Sequence, residues 1–258
     1  SLIEKKFWDN LYNYKVTNFG GVPFTYEILK KLKFEKLISN LKNLNYLTQA
    51  GGKLANSSHK YFLNLLKKHK KKFYIMYGAT EATSRMSILS ANSNKIGSIG
   101  KPIYKTEMWL KKNNEENNNI GEIQFKGKNI FKGYAKSFKD LNTLENEKIL
   151  NTGDLGSKDK SGNFYIVGRK TRILKITGRR INLDELESKL SKIFKITFKI
   201  TGIDDKVKIF FKEKVKLELI NNFITNKLNI NKNFFIIKKV KEYPLTHSGK
   251  IDYSKLNE

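Results

Sequence analysis

Apolar positions recur first with a helical period and then, from about residue 96, in short alternating runs. SLIEKKFWDNLYNY sets Leu2, Ile3, Phe7 and Leu11 at helical spacing behind Ser1 and Glu4, a capping-box pair, and predicts an opening helix. A strand-like KVTNF, a turn at GGVP, a helix over Phe24 to Leu32 and a strand NYLTQ ending at Gly51-Gly52 follow. SSHKYFLNLLKKHK places Tyr61, Phe62, Leu65 and Leu66 on one helical face, with serines available as caps, and reads these four as core. FYIMY, Phe73 to Tyr77, is a buried strand that Gly78 stops. Strand, helix, strand in this order predicts a parallel α/β layer over residues 1–95.

Residues 96–168 break this pattern. TEMWLKK, EIQFKG and FYIVGR alternate between turn-rich segments, which predicts an antiparallel β unit closing as a small barrel, with Asn113 to Asn119 as a solvated hairpin loop. A third pattern begins after Gly168-Arg169: strand ILKITG, helix NLDELESKLSKI, strands FKITFKI and KVKIFFK, helix KLELINNFITNKL and strand FFIIKKV. It predicts a small α+β domain over 173–258, joined through 169–172.

Composition narrows the chemistry. A chain of 258 residues with 39% hydrophobic and 12% aromatic residues buries a real core and is not a disordered polymer. It has no cysteine, which excludes disulfides, thiolate metal sites and a cysteine nucleophile. His59, His69 and His247 lie far apart without ligand spacing. No apolar run approaches the roughly 18 residues of a membrane span, and no signal-peptide pattern opens the chain, so the expected location is the cytoplasm. The net charge of +27 first suggests a polyanion partner. The lysines, however, are spread evenly among asparagines and isoleucines, with no basic-aromatic stripe. A diffuse field that attracts phosphorylated ligands fits this better than nucleic-acid binding.

Five short motifs stand in order: AGGK (Ala50 to Lys53), YGATE (Tyr77 to Glu81), GEIQFKGKNIFKGY (Gly121 to Tyr134), NTGDLG (Asn151 to Gly156) leading into GRKTRILKITGRRINLDELE, and PLTHSGKID (Pro244 to Asp252). Each has an ordinary reading beside a chemical one. Tyr77 offers a face for a base, worth about 1–3 kcal/mol in nucleic-acid systems, or closes the core. Thr80 and Glu81 suit a phosphate and its metal, or form a plain strand-to-loop corner. Asp154 matches a ribose diol, or is a turn carboxylate. Gly51 and Gly52 let backbone approach a base. Arg169 is a ribose or phosphate ligand, or a surface arginine. Lys250 is an ammonium on a flexible stem in a glycine-containing loop, able to bridge a carboxylate and a phosphate.

Together these motifs, with GGVPFTYEIL, resemble the adenylate-forming superfamily of acyl-CoA synthetases, peptide-synthetase adenylation domains, carrier-protein ligases and luciferases over nearly the whole chain. YLTQAGGKL and GRKTRILKITGRR look closest to amino-acid-activating or acyl-carrier ligases. The resemblance implies an α/β fold: the C-terminal part of the large α/β plus β-barrel domain (1–168), a hinge, and a small mobile α+β C-terminal domain. It also implies joining of a carboxylate to ATP as an acyl-adenylate, pyrophosphate release, and transfer to a phosphopantetheine thiol of coenzyme A or an acyl carrier protein.

The implied roles are residue-specific. Gly51, Gly52, Lys53, Tyr77, Gly78, Asp154 and Arg169 bind the nucleotide; Thr80 contacts phosphate; Glu81 holds Mg2+; Lys250 is catalytic. Thr171, Lys175 and Gly178 belong to the hinge and thiol tunnel, while Leu183 and Glu187 hold the first helix of the small domain. That domain turns to present first Lys250 and then the Gly178 loop.

Two departures bear on this. Thr171 stands where the family usually carries an acidic hinge residue. Nothing matches the Ser/Thr/Gly-rich phosphate loop, so a fragment that adenylates poorly or not at all alone is expected. A non-catalytic nucleotide- or carrier-binding module is the alternative, and a nucleic-acid-binding protein is the remaining one.

Overall fold

The computed structural model describes residues 2–112, 119–135, 137–142, 149–246 and 251–257. Ser1 of the expected capping box, residues 113–118 of the expected hairpin loop, and His247 to Lys250 lie outside the described residues. Two compact units divide the chain, Ser1–Val167 and Gly168–Glu258.

In the first unit helix α1 (Lys5–Asn13) precedes strand β1 (Asn18–Gly21), helix α2 (Pro23–Lys31), a single turn α3 (Phe34–Leu37), β2 (Tyr46–Gln49), α4 (Asn56–Lys68) and β3 (Lys72–Tyr77). Both expected starts shift. Helix α1 begins only at Lys5, with Glu4 extended at its N-terminus, and β1 begins beyond Lys15, whose φ of +49° interrupts the run. Pro23 opens α2, where a missing N–H costs nothing. The serines expected as caps lie inside α4 and do not cap it. Ser58 is buried within the helix and donates instead to Glu27 Oε1 at 2.6 Å.

Strands β1, β2 and β3 are parallel, in the register Phe19, Leu47, Phe73. Their face and the helices close on Tyr26, Leu29, Phe34, Ile38, Phe62 and Leu66, all at most 2% exposed. Burying a side chain of this size contributes about 1.5–3 kcal/mol. Phe62 sits at the centre, with its ring against Tyr26, Phe34, Tyr61 and Phe73.

Strands β4 (Ser87–Leu89), β5 (Ser98–Pro102), β6 (Glu107–Lys111), β7 (Ile120–Lys126), β8 (Leu150–Lys158) and β9 (Phe164–Arg169) continue the sheet antiparallel. The nine strands run in the order β1-β2-β3-β4-β5-β9-β8-β7-β6. The expected barrel does not close among the described residues. Strand β5 uses its two edges on β4 and β9, which leaves β6 paired to β7 alone. At Gly100, φ is +81° and a Cβ would lie 2.0 Å from the Ile88 carbonyl oxygen, so only glycine lets β5 pass β4 this closely.

The second unit has its own core. A hairpin of β10 (Ile173–Ile176) and β11 (Arg179–Asn182) leads into α5 (Leu183–Phe194), whose first N–H groups, those of Asp184 and Glu185, donate to Asn182 Oδ1. Strands β12 (Phe198–Ile203) and β13 (Lys206–Phe211) are antiparallel. After α6 (Leu217–Asn222) and a wide turn over Phe223–Lys227, β14 (Phe235–Lys239) joins β13 in parallel, and α7 (Tyr253–Asn257) ends the unit. Leu183, Leu186, Leu190, Phe198, Ile200, Ile209 and Ile220 fill the core between helix and sheet.

Candidate functional site

In an α/β sheet the loops beyond the C-terminal ends of parallel strands are where ligands are usually held. Here β2 ends in Gly51-Gly52-Lys53 and β3 ends in Tyr77-Gly78. The β2 loop is fixed from inside. Gln49, 1% exposed, donates from Nε2 to the carbonyls of Gly52 at 2.8 Å and Ala50 at 3.1 Å. Gly51 has φ +80°, and a Cβ on Gly52 would stand 3.2 Å from Pro23 Cγ, so this loop lies against the GGVP turn. Lys53 Nζ donates to the Ile166 carbonyl at 3.0 Å, tying the loop to β9.

Beyond β3 the chain makes a tight turn over Thr80–Ala82 and returns through Thr83 and Ser84, both left-handed with φ +51° and +60°. Such residues cost roughly 1–2 kcal/mol each unless otherwise compensated. The segment after β7 supplies that compensation. Asn129 Nδ2 donates to the carbonyls of Ala82 (2.7 Å) and Arg85 (3.0 Å), Thr83 Oγ1 donates to the Asn129 carbonyl (2.8 Å), and Phe131 N donates to the Glu81 carbonyl (2.8 Å). Tyr134 Oη donates to Glu81 Oε1, and its ring stands edge-on to Phe131. The bond to Glu81 pushes the Tyr134 phenol above its ordinary value. YGATE and GKNIFKGY are therefore one piece of structure. Gly78 is required by sterics, since a Cβ there would lie 2.1 Å from the Ser84 carbonyl oxygen.

Asp154 arrives from the other side of the sheet. Glu122 pairs with Leu155 and Gln124 with Asn151, so Thr152, Gly153 and Asp154 stand opposite the single residue Ile123. This is a bulge, a device that re-aims a side chain. Its geometry is held by Thr152 Oγ1 donating to the Ile123 carbonyl (2.7 Å), Gly153 N donating to Glu122 Oε1 (3.2 Å), and φ +68° at Gly153. NTGDLG is thus strand, where its glycines and aspartate suggest a turn. The bulge brings Asp154, 7% exposed, to Tyr77, whose Oη donates to Asp154 Oδ2 at 2.6 Å.

The first unit thus joins Tyr77 to Asp154, holds Gly78, Thr80 and Glu81 on one strapped turn, and ties Lys53 to β9. Thr80 is exposed and Glu81 half-buried. An aromatic ring, a hydroxyl and a carboxylate at the end of β3, with the Asp154 carboxylate delivered to them from the bulge within β8, can accept sugar hydroxyls and present an oxygen donor to a cation. Among the described residues no group of three or more His, Cys, Asp or Glu could hold a metal ion, so a cation on Glu81 would take its other ligands from water or a bound phosphate, as Mg2+ commonly does.

In the second unit Arg169 ends β9 and Thr171 lies in the turn Lys170–Arg172, both exposed. Lys175 N donates to Asp204 Oδ1 (2.8 Å) and Thr177 N to Asp205 Oδ1 (2.6 Å), which pins the hairpin whose tip is Gly178, φ +80°. Lys250 lies outside the described residues.

Several participants carry no expectation from sequence. Asn129 and Tyr134 sit inside a quoted motif without a role, because the groups they bind are far away in the chain. Arg172 is the larger omission: its side chain is 12% exposed and makes charged contacts at 2.5 and 2.6 Å to Asp184 and Glu187. Two acids one helical turn apart on α5, facing a single arginine, were the available signal. No described helix is long and apolar enough to cross a membrane.

A family model described as AMP-binding enzyme matches residues 2–135, which hold the AGGK and YGATE loops and Tyr134. A 2-succinylbenzoate–CoA ligase of Oceanobacillus iheyensis is 34% identical over 119 residues, 45% of this chain and 25% of that enzyme. Luciferin 4-monooxygenase of Luciola mingrelica is 31% identical over 199 residues, 72% of this chain and 34% of that protein. The solved o-succinylbenzoate CoA synthetase of Bacillus subtilis, in complex with its acyl-adenylate intermediate, superposes with a TM-score of 0.70 over 98% of this chain and 53% of that one, at 21% identity. The fold is therefore that of adenylate-forming enzymes, and the chain spans about half or less of each of these three proteins.

Proposed function

Because the chain belongs to the AMP-binding enzyme family, we propose that it carries the chemistry of an ATP-dependent carboxylate–AMP ligase. A carboxylate oxygen bonds to the α-phosphorus of ATP as the bond to pyrophosphate breaks. A phosphopantetheine thiol, of coenzyme A or an acyl carrier protein, then attacks the acyl carbon and AMP leaves. The observation that supports this reading most directly is the bulge that delivers Asp154 to Tyr77 at the end of β3. It sets a diol acceptor beside an aromatic ring, as a nucleoside needs.

The roles follow from the groups. Tyr77 supplies a face for adenine, with Gly51 and Gly52 allowing the base close to backbone and Lys53 holding their loop in place. Asp154 accepts the ribose hydroxyls, and Arg169 adds a cation to ribose or phosphate. Thr80 donates to phosphate. Glu81 would hold Mg2+, which supplies charge neutralisation at the departing pyrophosphate. Tyr134, hydrogen-bonded to Glu81, orients that carboxylate. Lys250 would supply the charge that bridges substrate carboxylate and α-phosphate as the bond forms. Thr171, Lys175 and Gly178 serve the thiol step, and a surface this basic draws in an acidic carrier or coenzyme A.

ATP–pyrophosphate exchange by the full natural chain, against fatty, hydroxy and amino acids, is the test. Exchange with one acid class, reduced about 10²–10³-fold by Lys250→Ala, is expected. No exchange with any acid from folded protein would replace the ligase with a non-catalytic nucleotide- or carrier-binding module.

A further inference from the structure

The first unit buries a polar side chain where an apolar one would serve the core. Strand β2 buries alternate positions, Leu47 and Gln49, at 0% and 1% exposure, and lies between β1 and β3. Glutamine is mostly found at surfaces. Both hydrogens of its Nε2 are used, on the carbonyls of Gly52 at 2.8 Å and Ala50 at 3.1 Å. Its Oε1 is buried and has no hydrogen-bond partner among the described residues. Turning the amide over would set Oε1 against two carbonyl oxygens, so these acceptors fix its orientation. A buried acceptor left unpaired costs stability, and such exceptions in folded proteins call for a reason.

The packing of the sheet does not supply that reason. Gly52 is exposed and Ala50 half-buried, so water can meet their carbonyls without Gln49. What the amide fixes is the path of the chain beyond β2. Gln49 pairs with Ile75 in parallel, so Gly51, two positions on, stands level with Tyr77. Neighbouring strands are about 4.8 Å apart, and φ of +80° at Gly51 turns the loop off the strand line there. Two further ties lie at the ends of the loop. Ala50 N donates to the Gly21 carbonyl at 3.1 Å, and Lys53 Nζ donates to the Ile166 carbonyl at 3.0 Å. Between them the bond from Gln49 to Gly52 spans Gly51 and sets the curvature of its backbone.

We propose that Gln49 is a positioning residue for the nucleobase: its amide holds the Gly51-Gly52 backbone against which the base lies beside Tyr77, and the fold carries the unpaired Oε1 in return. The inference rests on the nucleotide part of the ligase reading and deepens it. Departures from local consistency are expected where a function requires them. A loop set in advance binds without the ordering cost that a loose one meets, and it presents its backbone groups to a base edge in one arrangement. Gln49 therefore serves affinity for ATP and preference for adenine over guanine, and works against stability.

The experiment compares stability with binding in the full natural chain. Gln49→Met keeps length and volume without the amide, and Gln49→Leu is a second apolar replacement. Urea midpoints equal to or above that of the unsubstituted chain are expected for both, since an apolar group removes the unpaired oxygen. Calorimetric titration should show the Kd for ATP raised about 3–10-fold in both. The ratio of the GTP Kd to the ATP Kd should fall, because a loosened loop fits either base. Affinity here is that of folded protein, since unfolded chains lower the stoichiometry and leave Kd unchanged. An unchanged Kd for ATP in both variants overturns the inference. So does a loss of affinity matched by a fall in the urea midpoint, which would make Gln49 a core residue and no more. Equal weakening of ATP and GTP overturns it as well, since the held loop would then not read the base. Absence of ATP binding by the unsubstituted folded chain is a separate result, and would overturn the nucleotide reading and this inference with it.

Discussion

Two tyrosine–carboxylate pairs occupy the two units, and they are built differently. In the first unit Tyr77 donates to Asp154, which a bulge raises out of regular pairing beside a left-handed glycine. In the second, Tyr253 donates to Glu187, whose oxygens also take an arginine, a lysine and a backbone N–H. Glu187 sits on a regular helix with its charge answered from within the protein. Asp154 depends on a local departure from sheet geometry within β8. A carboxylate met by several internal donors holds the fold together; Asp154 is set by an irregular backbone beside Tyr77, where the proposed function gives it the ribose hydroxyls.

The comparison breaks most visibly at Glu187. Removing one member of a buried ion cluster leaves the others uncompensated, at a typical cost of about 3–5 kcal/mol. Glu187→Ala should lose stability of that order in urea unfolding of the second unit, because Arg172 then loses one of its two carboxylate partners and Lys199 loses its own. A loss under about 1 kcal/mol, as for an ordinary surface change, would erase the contrast between the two pairs.

Asp154→Ala tests the other side. A hydrogen bond to a charged group is worth about 1.5–3 kcal/mol, so ATP affinity should fall about 10–100-fold. Its effect on urea unfolding should be smaller than that of Glu187→Ala. Calorimetric titration with ATP decides this. Full affinity retained by the alanine variant would make Asp154 a bulge carboxylate with a structural role alone.

What sequence could reveal of this contrast depended on the range of the interactions. The parallel layer was legible because β1, β2 and β3 are flanked by helices whose apolar residues repeat at their own period, as at Phe62 and Leu66. Strand β8 was hidden, because the residues that make its bulge, Thr152, Gly153 and Asp154, are those a turn would use. Barrel closure was misread, because alternation reveals strands and says nothing about which edges meet. Ser58 suggested a cap, but its partner is Glu27, 31 residues away and out of reach of local pattern. Arg172 disappeared among 51 lysines and arginines, although the acids it pairs with lie one turn apart on α5. Motifs exposed the strand-end residues because loops of that composition are distinctive. The saturated cluster had no such signature, since its members are brought together only by the fold.

The smallest expected effect sharpens the comparison within the first unit, at a buried titratable group away from the strand ends. His59 is 2% exposed, accepts from the Gly97 N–H through Nδ1 at 3.1 Å, and stands edge-on to Phe73. Burial holds its pKa below the ordinary histidine value. The unfolded chain therefore binds this proton at a pH where the folded chain does not, so stability rises with pH across that window. The contribution is fully present above about 6.5, the ordinary value, and is lost as pH falls through it toward the lowered folded one. One proton changes stability by at most about 1.4 kcal/mol per pH unit. Urea midpoints at pH 7.5 and 5.5 should fall further in the unsubstituted chain than in His59→Gln, which cannot titrate. Equal falls would mean that His59 protonates in place, and that burial in this core is looser than the packing of α4 on β3 implies.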